Sequence, residues 1–429
     1  MRILLTGANG FIGSAVLAAL RREGHEVVAV VRSQRSARRL PSVQIVRIDI
    51  AEARRPQDWL PHLDGIDAVV NCAGVLRDGA GDSTAGVHHH GVAALFEACE
   101  RAGVRRVVHL SAIGVDRDTP TDFSRTKRAG DEALMRRELD WVILRPSVVL
   151  GRAAYGGSAL IRGLAGLPAV PVIGEAGELQ VVQLDDLVQT ILFFLKPGAP
   201  ARVAIDVAGP QRLPFTEVVM SYRRWLGWGE GPLLPVPRWV AAVMYRKGDA
   251  ARWLGWRTPI NSTARREIGR GAVGEAGEWS QLTGIRPQRL EEALAAEPAS
   301  VQERWFARLY FLKPLVLGVL AFFWIMTGII SLGPGWEIGV ELMRTATIDT
   351  LAAPGVIAGA LADILIGVAI AFRRTARPGL YAALALSVFY AVTGTLLMPS
   401  LWIDPIGPML KIVPIIVLHF VALAMLDDR

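Results

Sequence analysis

The chain has 429 residues, of which 52% are hydrophobic, and a formal net charge of +7 at pH 7. This length predicts two or three domains, and the mean hydropathy of +0.34 is high for a soluble protein. No recognition helix or aromatic RNA-binding motif accompanies the positive charge, which argues against nucleic acid as a partner. A basic surface that faces anionic lipid explains the charge better.

The apolar residues are unevenly distributed along the chain. Up to about Trp305 apolar runs alternate with charged runs, whereas long apolar stretches dominate from Phe311 to Leu426. Cys72 and Cys99 both lie in predicted core elements, which fits a reducing compartment rather than a disulfide framework. The opening MRILLTGANG turns glycine-rich and lacks the apolar core of a signal peptide. We therefore expect a cytoplasmic soluble domain followed by a membrane domain.

The first 150 residues alternate strand-like and helix-like segments. Short apolar runs predict strands at RILLTG, EVVAVVR, VQIVRID, DAVVNCAG, VRRVVHLSA and DWVILRPSVV. Segments with helical spacing, such as SAVLAALRREG and GVAALFEACERAG, separate several of these strands. Strands that alternate with helices require crossover connections, which favour a parallel sheet. The sequence predicts a Rossmann-type, doubly wound α/β domain over residues 1–150.

A glycine-rich turn follows the first predicted strand. TGANGFIG places Gly7, Gly10 and Gly13 between this strand and a helix. Glycines here permit a tight turn, a close approach of backbone N–H groups to a pyrophosphate, and close packing of the helix on the sheet. The N-terminus of the helix adds partial positive charge. This strand–turn–helix context predicts a dinucleotide site rather than a purely structural turn.

The end of the second predicted strand indicates which dinucleotide binds. The strand runs into RSQRSARR, where an NAD-binding chain often carries an acidic residue. Arg32 and Arg35 can pair with the 2′-phosphate of NADP through charge-assisted hydrogen bonds, each worth roughly 1.5–3 kcal/mol. The alternative is a basic face that contacts only water. The residues favour NADP(H) over NAD(H).

Three consecutive histidines occur in VHHHG, residues 87–91. Consecutive side chains on a helix point about 100° apart, so the three imidazoles cannot converge on one metal ion. We expect no metal site here. His88 is either a polar residue near the cleft or part of an ordinary helix surface.

The segment DFSRTKRAGDEAL, residues 122–134, carries half of a reductase catalytic pair. Lys127 lies one helical turn after Phe123, an aromatic residue that has no hydroxyl to exchange a proton. In a tyrosine-dependent reductase the lysine lowers the pKa of the tyrosine, and losing that group is expected to slow the reaction by about 10²–10⁴. Tyr155, Asp116 and Asp118 are the candidate replacements.

The pattern loosens between Gly151 and about Ala299, where glycine, proline and tryptophan are frequent. The tetrapeptide WLGW occurs twice, at 225–228 and 253–256. We expect residues 151–299 to complete the substrate side of the same domain. Their tryptophans lie either in the core or against the bilayer. Residues 300–311 are expected to form a linker.

Four apolar spans follow, at about 312–332, 351–372, 379–398 and 409–426. About twenty helical residues cross the hydrocarbon layer, so the first three qualify, and the shorter fourth begins near Lys411, which can snorkel to the interface. RRTAR (373–377) joins the second span to the third, whereas the loop PSLWIDPIG has no lysine or arginine. The positive-inside rule then predicts an inner-membrane, multi-pass protein with both termini in the cytoplasm.

One carboxylate lies in the middle of a predicted span. Asp363 in ALADILIGVA would cost about 2.5–3.5 kcal/mol on insertion scales, so we expect it to face the bundle interior with a partner or a proton. His419 in the fourth span is the partner that the sequence offers. The site is either a structural interhelical hydrogen bond or a proton or quinone site.

Together these motifs resemble the short-chain dehydrogenase/reductase superfamily, in its extended or atypical branch of NAD-dependent epimerase/dehydratase-like proteins. The matching segments are TGANGFIG for the glycine turn, NCAG (71–74), HLSAIG (109–114) for the serine strand, FSRTK for the catalytic helix and LRPSVVLG (144–151). WSQLTGIRPQRLEEAL (279–294) is similar to the end of members akin to the accessory subunit of respiratory complex I. The four spans resemble a DoxX-like domain.

The resemblance implies a cofactor site and a catalytic site. It implies that Ser111 lies near the substrate oxygen and that Lys127 bonds the nicotinamide ribose. Phe123 departs from the family because it replaces the tyrosine, and His88 stands where an asparagine is common. Combined with the basic residues after the second strand, the resemblance implies cofactor contacts at Thr6, Gly7, Asn9, Gly10, Phe11, Ile12, Gly13, Arg32, Arg35, Asp49, Ala73, Gly74, Lys127 and Pro146.

Two functions remain open from the sequence. The first is a membrane-anchored, NADP(H)-binding oxidoreductase whose substrate is a quinone or a lipid-like carbonyl. The second is a catalytically inactive scaffold or assembly factor of a membrane complex that keeps NADP(H) as a structural or sensing ligand. Transport by the four spans is less favoured, because only Asp363 and His419 lie deep within them.

Overall fold

The computed structural model describes residues 1–40, 42–79, 81–174, 176–405 and 407–426. The chain divides into two compact units. The α/β unit comprises Met1–Ala250 and Thr258–Ala307, and the membrane unit comprises Ala251–Arg257 together with the chain from Arg308 onward. The segment 300–311, expected as a linker, includes a helix.

The elements of the α/β unit alternate as the sequence suggests. Its strands are β1 Arg2–Thr6, β2 Glu26–Val31, β3 Gln44–Arg47, β4 Ala68–Asn71, β5 Arg106–Leu110, β6 Asp140–Pro146, β7 Val149–Leu150, β8 Val170–Val172, β9 Val182–Gln183, β10 Val203–Val207 and β11 Leu233–Pro235. Its helices are α1 Phe11–Arg22, α2 Gln34–Ala37, α3 Gly91–Ala102, α4 Asp122–Met135, α5 Gly156–Ala165, α6 Leu184–Leu195, α7 Phe215–Trp225, α8 Arg238–Ala250, α9 Ser262–Arg270, α10 Ala276–Thr283, α11 Leu290–Ala296 and α12 Val301–Leu309. A π-helical turn, Gly86–His90, precedes α3.

Seven strands form one parallel sheet in the order β10–β6–β5–β4–β1–β2–β3. In its register Leu4 of β1 lies opposite Val28 of β2 on one side and Val69 of β4 on the other. The chain adds strands outward from β1 through β2 to β3, and then adds β4 on the opposite side. This reversal opens a crevice at the carboxyl ends of β1 and β4, where doubly wound sheets bind ligands. The predicted Rossmann-type sheet is confirmed.

Helices cover both faces of the sheet because its strands are apolar on both sides. Ile3 and Leu5 of β1 pack in one core with residues of α1 and α6, whereas Leu4 packs in a second core with residues of α3. The alternation follows from the two-residue period of a strand. The sheet is therefore held rigidly between two helical layers, and its carboxyl edge forms a fixed platform.

Residues after Gly151 contribute to the first of these cores. Trp279 of α10 is fully buried, and its indole Nε1–H donates to Thr190 Oγ1 of α6 at 3.0 Å. The bond satisfies the one polar group of the indole, which allows complete burial of the ring. Other tryptophans lie outside the core, since Trp239 on α8 is 72% exposed.

The membrane unit is helical. Its helices are α13 Leu312–Leu332, α14 Trp336–Ala346, α15 Asp349–Ala371, α16 Ala376–Leu397 and α17 Pro408–Met425. Four of them, α13, α15, α16 and α17, are long and apolar enough to cross a bilayer, with mean hydropathies between 1.8 and 2.4. The four predicted apolar helices are present, and their length and hydropathy are those of a multi-pass membrane protein.

Two polar pairs lie between the spans. Asp363 of α15 is buried, and its Oδ1 accepts a hydrogen bond from the Tyr390 hydroxyl of α16 at 3.2 Å. His419 of α17 accepts instead from Trp324 Nε1 of α13 at 2.9 Å. The expected pairing of Asp363 with His419 is therefore wrong, because the length of a span does not reveal which face of each helix turns inward.

We expect Trp279→Ala to destabilise the α/β unit by about 3–5 kcal/mol, because it leaves a large cavity and removes the donor to Thr190. The apparent melting temperature of the full chain in detergent should fall by roughly 5–15 °C. Trp239→Ala is the matched control and should shift it little, because that ring is exposed. Equal shifts for both variants would contradict this description of the core.

Candidate functional site

The turn between β1 and α1 has no room for side chains. Gly7 adopts a left-handed φ of +67°, and a Cβ added there would lie 2.8 Å from the backbone of Cys72. A Cβ at Gly13 would lie 2.1 Å from the Gly7 carbonyl oxygen. Gly10 caps α1, and its N–H donates to the Gly7 carbonyl at 2.8 Å. The glycines thus keep side chains out of the turn, as the close approach of a pyrophosphate to its backbone requires.

The first turn of α1 is suited to an anion. It carries no acidic residue, and its N-cap is Gly10, which has no side chain to occupy the N–H groups of the first turn. Phe11 and Ile12 are partly buried against the core, which fixes the helix start, while Asn9 is exposed beside it. The N–H groups at the start of a helix and the helix dipole favour a phosphate at this position. The residues present therefore fit a dinucleotide pyrophosphate.

The carboxyl end of β2 places Arg32 beside a carboxylate that the sequence analysis did not consider. Arg32 Nη1 donates to Asp82 Oδ1 at 2.8 Å and to the Gly81 carbonyl at 3.2 Å. Arg35 is exposed on α2. Asp49 follows β3, and its Oδ1 accepts a backbone N–H from two residues further along. The carboxylate of Asp82 thus lies at the same end of the sheet as Arg32 and Arg35.

Lys127 of α4 is buried at the carboxyl ends of β4 and β5. Its Nζ donates to the Leu110 carbonyl at 2.7 Å and lies 3.5 Å from the Ala73 carbonyl oxygen. A Cβ at Gly74 would lie 3.5 Å from the same nitrogen, in ordinary van der Waals contact, so the Gly74 backbone lies close to the ammonium. Burial lowers the pKa of Lys127 from 10.5 to about 8, although the charge of Asp131 opposes the shift.

Ser111 directly follows β5, where its backbone N–H donates to the Leu144 carbonyl of β6 at 2.8 Å. Its Oγ is buried and lacks a hydrogen-bond partner of ordinary geometry among the described residues. A buried hydroxyl without a partner costs free energy unless a ligand or water completes it. Pro146 ends the adjacent β6, and its carbonyl accepts the Ile113 N–H at 3.1 Å. The Ser111 hydroxyl can therefore form a hydrogen bond with a bound ligand.

A chain of buried polar groups runs beneath these residues. Thr6 Oγ1–H donates to Asn71 Oδ1 at 2.5 Å, and Asn71 Nδ2–H donates to His109 Nδ1 at 2.7 Å. Because His109 Nδ1 accepts, its proton is assigned to Nε2, which faces Asp131 Oδ1 at 3.5 Å. Arg145 Nε donates to Asp131 Oδ2 at 3.1 Å. The chain links β1, β4, β5, α4 and β6.

The charges in this chain are balanced. Burial raises the pKa of Asp131, but His109, the Ser111 hydroxyl and Arg145 outweigh it and hold the pKa below its ordinary value. Burial lowers the pKa of His109. The arrangement is thus a carboxylate beside a neutral imidazole. These roles were not predicted from the sequence; the available signal was Asp131, which lies four residues after Lys127 on the same face of α4.

The Phe123 ring contacts His88 instead of presenting a hydroxyl. The two rings meet edge to face, with centroids 5.5 Å apart. Val75 N–H donates to His88 Nε2 at 3.0 Å, and His88 Nδ1–H donates to Thr126 Oγ1 at 3.0 Å. Burial, followed by the charge of Lys127, lowers the pKa of His88 well below its ordinary value. His88 is therefore a neutral side chain whose two hydrogen bonds connect the loop after β4 to α4.

The remaining histidines lie on the surface of the π-helical turn. His89 is half-buried and His90 is exposed. Across the described part of the chain, no group of three or more histidine, cysteine, aspartate or glutamate side chains could hold a metal ion. A π-helical turn often marks a functional segment, and here it brings His88 inward to the site.

The candidate replacements for the tyrosine have other contacts. The Tyr155 ring stacks on Phe11 at the start of α1, with centroids 6.4 Å apart, and is 48% exposed. Asp116 Oδ2 accepts from Arg145 Nη1 at 2.9 Å, and the Asp118 carbonyl accepts from Arg270 at 2.8 Å. A catalytic role for any of the three stays a prediction.

Comparison with known proteins identifies both parts of the chain. Residues 7–163 match the NAD(P)H-binding family, and residues 321–420 match the DoxX-like family. Both parts agree with the resemblance drawn from the motifs, which is therefore confirmed. The glycine turn and the buried Lys127 lie inside the first matched region.

Similar proteins include reductase and assembly-factor types. Sterol demethylase protein B of Methylococcus capsulatus is 25% identical over 71% of this chain and 99% of that protein. Ceramide reductase of Caulobacter vibrioides is 22% identical over 52% of this chain and 70% of that protein. Photosystem II assembly factor Ycf39 of Synechocystis is 24% identical over 53% of this chain and 68% of that protein.

A solved structure supports the fold. MoeE5 in complex with UDP-glucuronic acid and NAD is similar with a TM-score of 0.52 and 22% identity. The match covers 69% of this chain and 97% of that one. At this identity the likeness shows the shared fold alone.

The depressed pKa of Lys127 predicts a pH effect on stability. Between about 8 and 10.5 the unfolded chain holds more protons at this lysine than the folded chain, so folding gains stability as the pH rises through that window. We expect the native chain to gain apparent melting temperature relative to Lys127→Met as the pH is raised through it. In Asp131→Asn, which removes a charge that raises the pKa of Lys127, the gain should begin at lower pH. A difference between native chain and Lys127→Met that stays constant with pH would contradict the buried, perturbed lysine.

Proposed function

Because the chain joins an NAD(P)H-binding Rossmann domain to a DoxX-like membrane domain, we propose that it is a membrane-anchored, NADP(H)-dependent reductase of a lipid-like carbonyl or a quinone. The observation that supports this most is the setting of Lys127 and Ser111. A buried ammonium and a buried hydroxyl whose hydrogen-bonding capacity is not filled by a bond of ordinary geometry lie at the carboxyl edge of the sheet, beside a turn that fits a pyrophosphate.

The chemistry of the site is reduction. NAD(P)H, when bound, supplies a hydride to the substrate carbon. The carbonyl oxygen then needs one proton, and Ser111 Oγ and the Lys127 ammonium are the groups that we propose to hold that oxygen. With its pKa lowered to about 8, the Lys127 ammonium releases a proton more readily than an ordinary lysine does. Asp131 keeps the ammonium charged at rest, because its own charge raises the pKa of Lys127.

The membrane setting supports a hydrophobic substrate. Ceramide reductase and sterol demethylase protein B are named for lipids, and four helices of this chain are suited to a bilayer. A substrate that resides in the bilayer would reach an anchored enzyme without crossing water. A lipid-like carbonyl is our first choice, and a quinone is the second.

We propose that NADP(H) is preferred over NAD(H). Arg32 and Arg35 lie at the end of the sheet where the adenosine ribose binds in this fold. A 2′-phosphate must share Arg32 with Asp82, which holds that guanidinium at 2.8 Å. Arg35 is exposed and can turn toward the phosphate. Asp82 therefore reduces the preference for NADPH over NADH that Arg32 and Arg35 create.

We propose that the α/β unit and both termini face the cytoplasm, with the spans in the inner membrane. The basic loop 373–377 lies between α15 and α16, on the side that the positive-inside rule assigns to the cytoplasm. Arg344, between α13 and α15, would lie on the opposite side. It pairs with Glu341 and Asp349, which balance its charge.

The second candidate function is a scaffold or assembly factor that holds NADP(H) without turnover. Phe123 favours it, because this residue replaces the proton-donating tyrosine and packs on His88. The similarity to an assembly factor, Ycf39, also supports a scaffold function. In this case Lys127 would only hold the cofactor ribose.

Turnover by the full chain separates the two functions. In nanodiscs, the native chain with bound NADPH should reduce at least one member of a panel of short-chain quinones and lipid ketones and aldehydes. Lys127→Met should lose at least about 10² of that rate, and Phe123→Tyr should gain at least about tenfold. Lys196→Met, at an exposed lysine, is the matched control and should match the native chain. Stoichiometric, unreacted NADPH in the native chain together with turnover in Phe123→Tyr would instead support the scaffold.

The pair of Arg32 and Asp82 gives a prediction about cofactor choice. In Asp82→Asn the guanidinium is no longer held by a carboxylate, so the ratio of NADPH to NADH affinity should rise by roughly two- to tenfold. Fluorescence titration of both cofactors measures this ratio. Asp64→Asn, at an exposed site, is the control. An unchanged ratio in Asp82→Asn, or a lower one, would contradict the role assigned to Asp82.

A further inference from the structure

The exposed apolar residues of the α/β unit are concentrated in two segments. Among its described residues twelve large apolar side chains are exposed, and eight of them lie within 233–244 and 301–306. Each segment lies shortly before a point where the chain passes into the membrane unit, at Ala251 and at Arg308. Scattered single apolar residues are normal on a surface, but a cluster indicates an interaction site.

Helix α8 is attached to the α/β unit by one face only. Ala241 is buried on that face. Arg77, which follows β4, donates to Asp249 Oδ1 at 3.2 Å and to the Gly248 carbonyl at 3.3 Å. These contacts fix the helix by its C-terminal turn to the loop that begins at Gly74. The opposite face of α8 therefore has a fixed orientation relative to the rest of the α/β unit.

The opposite face of α8 is exposed and carries apolar and basic side chains. Trp239 is 72% exposed and Val243 follows one helical turn later on the same face, whereas the exposed Met244 lies about 100° further round the helix. Leu233 and Leu234 of β11, which precede the helix, are more than half exposed. We call these five residues the α8 surface. A tryptophan with aliphatic neighbours is the composition found at membrane interfaces.

Positive charge accompanies the α8 surface. Arg238, Arg246 and Lys247 are exposed, and residues 231–248 contain no aspartate or glutamate. Within the part of the chain that the structure describes, these three cations form no ion pair. An apolar face flanked by unpaired cations is complementary to an anionic lipid headgroup layer. A protein partner would have to supply several acids.

The chain after α8 continues directly into the membrane unit. Residues 251–257 belong to that unit. Within it, Trp256 Nε1 donates to the Ala371 carbonyl at the end of α15 at 2.7 Å, and Arg373 N–H donates to the Leu254 carbonyl at 2.8 Å. Ala250, the last residue of α8, is therefore bonded directly to residues 251–257. This segment forms hydrogen bonds with the end of α15 and with the loop between α15 and α16.

We infer that the α8 surface docks on the anionic lipid layer of the membrane that contains the spans. Trp239, Val243 and Met244 would enter the boundary between headgroups and acyl chains, and the cations beside them would pair with lipid phosphates. Docking would hold the loop from Gly74 to Arg77, and with it the mouth of the site, near the bilayer. The inference concerns a surface and holds whether or not the protein turns over substrate.

A fluorescent probe on this surface tests the inference with the full chain in nanodiscs. Val243→Cys is labelled with a nitrobenzoxadiazole probe, and Arg22→Cys, at an exposed position near the end of α1, is the matched control. The native chain gives the background labelling from buried Cys99 and half-buried Cys72. The discs contain phosphatidylcholine with or without phosphatidylglycerol, and nitroxide-labelled lipid serves as quencher.

We expect blue-shifted emission from the Val243→Cys probe, with nitroxide quenching several times stronger than at Arg22→Cys. Replacing Arg238, Arg246 and Lys247 by glutamate should reduce the quenching in the anionic discs. Water-like emission at both positions, with no quenching, would overturn the inference. So would self-quenching between labelled copies without nitroxide quenching, which would identify the α8 surface as a contact between two copies of the chain.

Discussion

The burial of one lysine charge constrains this site more than any other interaction. Lys127 brings an ammonium to the buried carboxyl edge of the sheet, and burial of a charge requires compensation. The Leu110 carbonyl and the carboxylate of Asp131 provide it. Asp131 in turn requires Arg145 and the imidazole of His109, which is held by Asn71 and Thr6. The polar chain that crosses five elements of the α/β unit thus includes the carboxylate that compensates this buried charge.

The same constraint explains how the site can keep its shape without a tyrosine. Phe123 fills the usual tyrosine position and packs on His88, whose two ring nitrogens are both engaged in hydrogen bonds. The lysine keeps its place because it is held by backbone carbonyls and by its own helix, not by the missing hydroxyl. The buried Ser111 hydroxyl and the backbone of Gly74 lie next to it. A bound ligand thus contacts polar groups at this site, and the proposed reaction takes its proton from the Lys127 ammonium rather than from a tyrosine.

Local patterns in the sequence predicted the parts that depend on local geometry. Gly7, Gly10 and Gly13 identified the turn because their spacing is a backbone requirement, and the four spans followed from length and hydropathy. Partners distant in sequence could not be found in this way. Arg32 meets Asp82, which lies fifty residues further along, and Asp131 meets Arg145 only after α4 has packed beside β6. Asp363 was paired with the wrong residue because helix rotation in a bundle is set by packing, which no single span encodes.

The most direct test of a reductase at this site follows the hydride itself. The full chain in nanodiscs is loaded with NADPH deuterated at the transferable position of the nicotinamide and incubated with lipid ketones, lipid aldehydes and short-chain quinones, and the products are examined by mass spectrometry. Quinols exchange their hydroxyl protons, so the carbonyl products carry the decisive signal. We predict deuterium on the former carbonyl carbon of at least one product from the native chain, and none from Lys127→Met. Deuterium that remains entirely on stoichiometrically bound cofactor, with no quinone reduced, would contradict the proposed activity.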